Sequence, residues 1–154
     1  MSDAQDHATA TPMRIALEEA RAAARAGEVP VGAVIARGRT ILARAANETR
    51  RRPDPTAHAE IIVIRRAAEA LGRERLDGLD LYVTLEPCAM CAGAIAHARI
   101  ARLYFGAEDP KGGGVLHGSR VFSRGTTHHA PEVYSGIGET EAAAMLREFF
   151  RARR

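Results

Sequence analysis

The chain contains two cysteines, and their placement relative to one histidine restricts the fold more than any other feature of the sequence. Cys88 and Cys91 are separated by two residues, and His58 and Glu60 lie well before them in the chain. A structural zinc site usually takes four protein ligands, whereas a catalytic site takes three and leaves one position for water. A four-cysteine site is impossible within this chain. A closed site would need a second histidine, and His97, the histidine nearest to the cysteines, is predicted to lie mid-helix. We therefore predict an open metal site formed by His58, Cys88 and Cys91, which requires two distant segments to meet.

The two cysteines are predicted at the start of a helix. Pro87 is typical of the first helical position, where the missing N–H costs nothing. Cys88 and Cys91 would then lie one turn apart on the same face. The helix dipole and a bound metal both lower the pKa of a thiol, so we expect two thiolate ligands.

The histidine segment predicts a second helix start. Thr56, or Asp54 before it, is a suitable N-cap for a helix that carries His58 and Glu60 in its first turn. A side chain two positions further along a helix points well away from the ligand direction. Glu60 is therefore predicted to act as a proton shuttle beside the metal-bound water rather than as a metal ligand.

Each motif alone has a simpler interpretation. A Cys-x-x-Cys pair can be a redox pair, although that assignment needs a thioredoxin-like setting and leaves His58 and Glu60 unexplained. His58 alone could be an ordinary surface or core histidine, and Glu60 alone could be an acid that stabilises a first helical turn. The combination of the two motifs favours the metal site.

Length and composition are those of a small globular protein. The 154 residues, of which 46% are hydrophobic and 27% charged, are enough to bury roughly two-thirds of the unfolded surface. We expect one domain over residues 1–154, with a flexible tail over residues 1–11. No apolar run approaches the ~20 residues of a membrane span, and residues 1–11 contain no signal-peptide core. With two cysteines that suit reduced metal ligands, the expected location is cytoplasmic.

The order of predicted elements is that of a three-layer α/β sheet protein. We expect the site at the carboxyl ends of strands, where open sheets usually carry it. In chain order the predicted elements are a helix from Thr11-Pro12 to Ala26, a hairpin over 31–36 and 40–46, the His58 helix ending at Gly72, a buried strand over 81–85, the Cys91 helix to Ala98, a strand over 102–106, an irregular stretch over 115–133 and a helix over 140–151.

Charge alone does not identify a partner. The net charge is only +3, but arginines cluster in the chain, and arginine offers forked donors for phosphate and a flat face for stacking on bases. The run at 50–52 is equally consistent with a solvated loop. The clusters are Arg50-Arg51-Arg52, Arg65-Arg66, and Arg147 with Arg151, Arg153 and Arg154.

These motifs resemble those of the zinc-dependent nucleobase and nucleoside deaminases, whose signature combines His-x-Glu with Pro-Cys-x-x-Cys. Over about residues 13–154 the chain is similar to the bacterial tRNA-specific adenosine deaminases, within the cytidine/deoxycytidylate deaminase superfamily. The segments that carry the resemblance are 28–34, Asn47, 54–60, 81–88, 91–94, 98–100, 105–107 and the closing Phe149-Phe150-Arg151-Ala152-Arg153-Arg154.

The resemblance implies a three-layer α/β/α, cytidine-deaminase-like fold with a central mixed five-stranded sheet and helices on both faces. It implies one zinc ion per subunit, held by His58, Cys88 and Cys91, which lowers the pKa of its water so that Glu60 takes the proton. Hydroxide would attack carbon 6 of adenine, and Glu60 would protonate ring nitrogen 1 and then the departing amine. The expected reaction is hydrolysis of an amidine C–N bond that converts a tRNA wobble adenosine to inosine and ammonia.

The resemblance also implies the substrate contacts. Asn47 and the backbone N–H of Ala59 are expected to bind the flipped base, and neighbouring subunits of a homodimer are expected to complete the surface. Phe149 could instead pack on the core. The residues expected to contact the anticodon stem-loop are Asp109, Lys111, Phe149, Arg151 and Arg153.

Two other functions stay open. A deaminase of a free nucleobase or nucleoside (guanine, cytosine or cytidine) would use the same scaffold without needing the arginine-rich terminal helix. A non-catalytic zinc-bearing subunit would have no use for Glu60. Residues 112–129 depart from the best-known sequences of the family, and we interpret their histidines as loop residues rather than ligands.

Overall fold

The computed structural model describes the backbone of residues 3–153 and the side chains of residues 12–153. A short 3-10 turn, Val121–Ser123, lies between the last two strands. The other elements in chain order are α1 (Asp3–Arg25), β1 (Gly32–Arg37), β2 (Thr40–Ala46), α2 (Ala59–Leu71), β3 (Asp80–Leu85), α3 (Ala89–Ala98), β4 (Arg102–Ala107), β5 (Glu132–Tyr134) and α4 (Glu139–Arg151).

The strands form one mixed five-stranded sheet in the order β2-β1-β3-β4-β5. β1 pairs antiparallel with both β2 and β3, whereas β3 pairs parallel with β4, and β4 with β5. Parallel neighbours need a crossover connection, which α3 provides between β3 and β4. The carboxyl ends of β3 and β4 therefore lie at the same edge of the sheet, and residues 86–91 start from that edge.

Helices cover both faces of the sheet, which confirms the predicted three-layer arrangement. On one face α2 and α3 contribute Val63 and Ile95 to a cluster with Phe105 of β4. On the other face Met13 of α1 belongs to a second cluster with Val34 of β1, to which α4 also contributes. Neighbouring residues of β3 enter opposite clusters because successive side chains of a strand point to opposite faces.

The predicted hairpin, buried strand and terminal helix are confirmed within one or two residues, and α2 ends at Gly72 in the left-handed conformation. Two predictions are wrong. The first helix begins at Asp3 rather than at Thr11, and the stretch predicted as irregular ends in β5. A three-residue edge strand carries little signal of its own, because β4, far away in sequence, supplies its pairing. The flexibility predicted for residues 1–11 lies outside the described side chains and stays a prediction.

Among the helices that the structure describes, none combines the length and the apolar character that a membrane crossing requires.

Candidate active site

The structure brings His58, Cys88 and Cys91 together. Their ligand atoms all lie within 4.8 Å of one another. Nδ1 of His58 is 3.6 Å from Sγ of Cys88 and 3.4 Å from Sγ of Cys91. In a tetrahedral zinc site with Zn–S near 2.3 Å and Zn–N near 2.0–2.1 Å, the N···S edge is roughly 3.6 Å. The three residues therefore have both the chemistry and the spacing of a metal site with one open position, and Nδ1 is the histidine atom that would bind.

Both helices start two residues later than predicted from Thr56 and Pro87. His58 itself is the N-cap of α2 and Cys88 the N-cap of α3, so Pro87 precedes the helix instead of opening it. Asp54 does not cap α2 because its Oδ1 accepts hydrogen bonds from the backbone N–H and the hydroxyl of Thr56, at 2.8 and 2.7 Å. An N-cap residue has extended backbone angles, and these angles direct both ligands toward the space between the two helix starts.

The two thiols share a proton unequally. The hydrogen bond from Cys91 lowers the pKa of Cys88 to about 4, although burial opposes the shift. The same contact, together with burial, raises the pKa of Cys91. The hydrogen bond with Cys88 raises the pKa of His58. A metal ion held by the three residues would supply the counter-charge for two thiolates.

Glu60 occupies the second position of α2 and is buried, with 4% of its surface exposed. Burial is the main cause that raises the pKa of its carboxyl to about 7. A cation held by the three ligands would lower that pKa, because it favours the ionised form. Glu60 is not one of the three grouped ligands, and its role as a proton shuttle stays a prediction.

A pocket of about 340 Å³ opens onto this site. Larger grooves of about 440 Å³ lie elsewhere, one between α1 and α4 and one between α2 and α3, but His58 and Cys88 line the smaller one. Its size is that of a small-molecule site. Its lining residues are Val29, Val31, Asn47, Thr49, His58, Glu60, Leu85, Glu86, Cys88, Asp109 and Gly112.

Asn47 and Ala59, both predicted to bind substrate, contact each other. The backbone N–H of Ala59 donates to Oδ1 of Asn47 over 2.8 Å, and the bond is buried. Asn47 therefore satisfies one of the free N–H groups at the start of α2. Because Oδ1 is the acceptor in this bond, the Nδ2 amide group of Asn47 is the part left free for a ligand.

Two buried carboxylates that sequence reasoning missed hold loops beside the pocket. Glu28 accepts hydrogen bonds from the backbone N–H groups of Arg50 and Arg51, the second at 2.8 Å. Glu86 accepts from backbone N–H groups between Asp109 and His117. The sequence signal for each is an acidic residue among apolar neighbours: Glu28 precedes Val29, and Glu86 follows Leu85.

The residues predicted to contact RNA lie in two places. Asp109 lines the pocket, and its Oδ1 accepts from the backbone N–H of exposed Lys111 and of Gly112. Phe149, near the end of α4, is buried with 4% of its surface exposed. The Arg153 guanidinium lies over the Phe149 ring, 3.6 Å from its centroid. Arg151 is exposed on the same helix.

The histidines of the divergent stretch do not join the metal ligands. His117 contacts Glu86 through Nδ1 at 2.8 Å, and Nε2 of His129 lies 2.7 Å from the carbonyl oxygen of Ile100. The His128 ring packs near that of His97, with centroids 5.6 Å apart. Residues 58, 88 and 91 make up the group that could hold a metal in the described part of the chain.

Comparison with known proteins agrees with this geometry. Residues 6–154 match the family model of the MafB19-like deaminases. The tRNA-specific adenosine deaminase of Agrobacterium fabrum is 61% identical over 142 residues, which cover 92% of this chain and 93% of that protein.

Solved structures support the same grouping. One, from a study of A-to-I editing by tRNA:A34 deaminases at the wobble position of transfer RNA, superposes with a TM-score of 0.86 at 61% identity and covers 88% of this chain and 98% of its own. A guanine deaminase from Nitrosomonas europaea shares the fold, with a TM-score of 0.77 at 24% identity over 90% of this chain and 82% of its own. The chain therefore belongs to the MafB19-like deaminases, and within them to the family of tRNA-specific adenosine deaminases.

Proposed function

We propose that this protein is a zinc-dependent hydrolase that converts adenosine to inosine at the wobble position of a tRNA anticodon. The observation that carries the proposal is the open His58, Cys88 and Cys91 group beside a buried carboxyl of raised pKa. The 61% identity to a tRNA-specific adenosine deaminase supports the substrate.

The three ligands suit one zinc ion per subunit, because imidazole nitrogen and thiolate sulfur are its preferred donors. When bound, zinc would supply Lewis-acid activation of a water molecule. A pair of free cysteines that serves as ligand also fits a reducing, cytoplasmic location.

The protein's own groups would move the protons. Glu60 accepts the proton of the attacking water and delivers it to ring nitrogen 1 of adenine while the oxygen bonds to carbon 6. A second proton passes through Glu60 to the amine, which leaves as ammonia, and water and adenosine thus give inosine and ammonia. Nδ2 of Asn47 donates to an acceptor of the base, since Oδ1 is occupied by Ala59.

The pocket is reached by extruding the base, which costs less from an anticodon loop than from a duplex. Arg151 and exposed Arg153 would bind phosphates of the stem, with Phe149 fixing the Arg153 side chain instead of stacking on a base. Asp109 and Lys111 would contact nucleotides at the rim. Phosphate contacts of this kind position an RNA without reading its sequence.

A homodimer is the proposed assembly. The groove between α2 and α3 has a volume of about 440 Å³, and its lining combines apolar with charged and polar side chains. The lining residues are Ile61, Ile64, Arg65, Glu74, Ala94, His97 and Ala98. Met90, also on α3, exposes 40% of its surface. Partly exposed apolar side chains on adjacent helices are typical of a protein–protein contact.

A deaminase of a free base is the second candidate, because the guanine deaminase fold is shared. The decisive experiment incubates zinc-loaded protein with an anticodon stem-loop that carries a wobble adenosine. A stem-loop with guanosine at that position is the control, and free guanine, cytosine and cytidine are assayed in parallel. Inosine at the wobble position is the expected product. Ammonia released from a free base without any inosine in the RNA would contradict the proposed substrate.

A further inference from the structure

Glu86 is a buried carboxylate that the proposed chemistry does not use. It follows β3, exposes 2% of its surface and lies two residues before Cys88. Burying a carboxylate is costly unless hydrogen-bond donors compensate for the lost water. The partners of Glu86 therefore indicate what its position stabilises.

All the donors to the Glu86 carboxylate come from one segment, residues 109–117. Oε1 accepts from the backbone N–H of Asp109 at 3.0 Å and lies 2.8 Å from Nδ1 of His117. Oε2 accepts from three consecutive backbone N–H groups, those of Val115, Leu116 and His117, at 3.1, 2.9 and 3.1 Å. Hydrogen bonds to an ionised acceptor are roughly twice as strong as those between neutral groups.

The segment also lies directly against the turn that carries the cysteine ligands. The N–H of Gly114 donates to the carbonyl of Pro87 over 2.8 Å. A Cβ at Gly114 would stand 2.5 Å from the backbone nitrogen of Ala89, and one at Gly113 would stand 2.4 Å from Oε2 of Glu86. Only glycine allows so close an approach, so a side chain at Gly113 or Gly114 would force the segment away from the turn.

The same segment forms part of the pocket. Asp109 and Gly112 line it together with Glu86 itself. We propose that Glu86 is a positioning residue for the substrate. It holds residues 109–117 as a pocket wall at a set distance from the metal ligands, so that the base enters against a preformed surface. This inference rests on the proposed function.

Glutamine tests the role because it keeps the shape of Glu86 but places an N–H donor where the segment also presents donors. Glu86→Gln is expected to release the wall and raise KM for the anticodon stem-loop by about tenfold to a hundredfold, because small misplacements at a site are costly. The metal content and the kcat at saturating RNA are expected to change less, since the ligands and Glu60 stay in place.

A graded series keeps the test decisive. His117→Ala removes one donor and leaves the backbone donors, so a smaller rise in KM is expected. Asp80→Asn is the matched control: Asp80 is a buried carboxylate paired with Arg102 over 2.8 Å, at the opposite end of β3, roughly 16 Å from the pocket. It is expected to lower stability with KM unchanged. If Glu86→Gln fails to fold, the comparison between His117→Ala and Asp80→Asn decides.

Amide hydrogen exchange gives a readout that does not depend on activity. In Glu86→Gln the amides of Val115, Leu116 and His117 should lose protection, whereas in Asp80→Asn they should keep it. Equal KM and equal exchange in the two variants would overturn the inference. If the wild type makes no inosine, the proposed substrate fails, and the exchange comparison alone decides whether Glu86 holds the wall.

Discussion

At the scale of residues, the site depends on buried polar groups that each have a defined partner. Among the side chains that the structure describes, no buried nitrogen or oxygen atom lacks a hydrogen-bond partner. Asn47, Glu60 and Glu86 lie around one small pocket. A substitution there removes a specific bond, so its effects on stability and on turnover can be separated.

Glu60→Gln is expected to bind zinc as the wild type does. Its kcat is expected to fall by about 10²–10⁴-fold, because the amide cannot shuttle a proton. Zinc content measured by mass spectrometry and inosine formation measured on the same preparation check this. A variant that retains zinc and still releases ammonia at the wild-type rate would rule out the shuttle.

Asn47 accepts a hydrogen bond from the backbone N–H of Ala59 and is proposed to contact the base, and two substitutions separate these roles. Asn47→Asp keeps the acceptor for the Ala59 N–H, at a helix start that favours negative charge, but lacks the Nδ2 donor. We expect wild-type stability and a large loss in kcat/KM. Asn47→Ala should also lose about 1–3 kcal/mol of unfolding free energy, because a buried N–H loses its partner. Urea unfolding measures the stability of both variants, and steady-state kinetics measure their kcat/KM. Equal kinetics of Asn47→Asp and wild type would exclude a base contact.

Glu86 makes stability depend on pH. Burial acts to raise the pKa of its carboxyl, but the N–H of Asp109, the ring of His117 and the other backbone donors outweigh it, and the pKa is lowered from 4.5. A lowered acid pKa stabilises the folded state fully above the unfolded value, and the contribution is lost as the pH falls through the folded value. The difference in unfolding free energy between metal-free wild type and Glu86→Gln should therefore be large at neutral pH and shrink as the pH falls below about 4. A difference independent of pH would contradict this origin.

At the scale of elements, two helix starts and two loops form the site while the sheet supplies the frame. The N-caps of α2 and α3 present His58 and Cys88, and loops held by Glu28 and Glu86 border the pocket. The end of α4 is a separate basic surface. Its Phe149 side chain is buried and holds Arg153.

Removal of two charges at and just after the end of α4 should weaken RNA binding without affecting chemistry. Arg151→Ala with Arg153→Ala is expected to raise KM for the stem-loop and to reduce the salt dependence of binding by about one unit of slope for each phosphate that the protein no longer neutralises. Arg75→Ala, which removes an exposed arginine paired with Asp77, is the control. Filter binding across a salt series measures how steeply the binding constant depends on salt concentration. An unchanged slope would show that the end of α4 does not contact the RNA.

At the scale of the whole molecule, the proposed homodimer places the groove between α2 and α3 at the contact between the two copies. Ile64→Glu places a charge in that groove, and we expect it to convert a dimer to a monomer. Phe150→Glu alters an aromatic side chain that is 49% exposed on α4 and should leave the assembly unchanged. Analytical ultracentrifugation distinguishes the two, and a wild-type monomer at micromolar concentration would contradict the proposed homodimer.

The sequence by itself determined the types of residue available as metal ligands and the order of helices and strands that forms the three layers of the fold. The ligand types and the Cys-x-x-Cys spacing are local properties and predicted the metal site, and the hairpin and α4 followed from short-range patterns. That His58 meets the two cysteines depends on the fold. The tertiary structure decided what depends on distant partners. Oδ1 of Asn47 accepts from the first N–H of α2, Glu86 accepts from N–H groups of residues 109–117, Phe149 is buried and β5 pairs with β4. A hydrogen bond or a buried ring needs a partner that only folding brings near, so no local pattern encodes it.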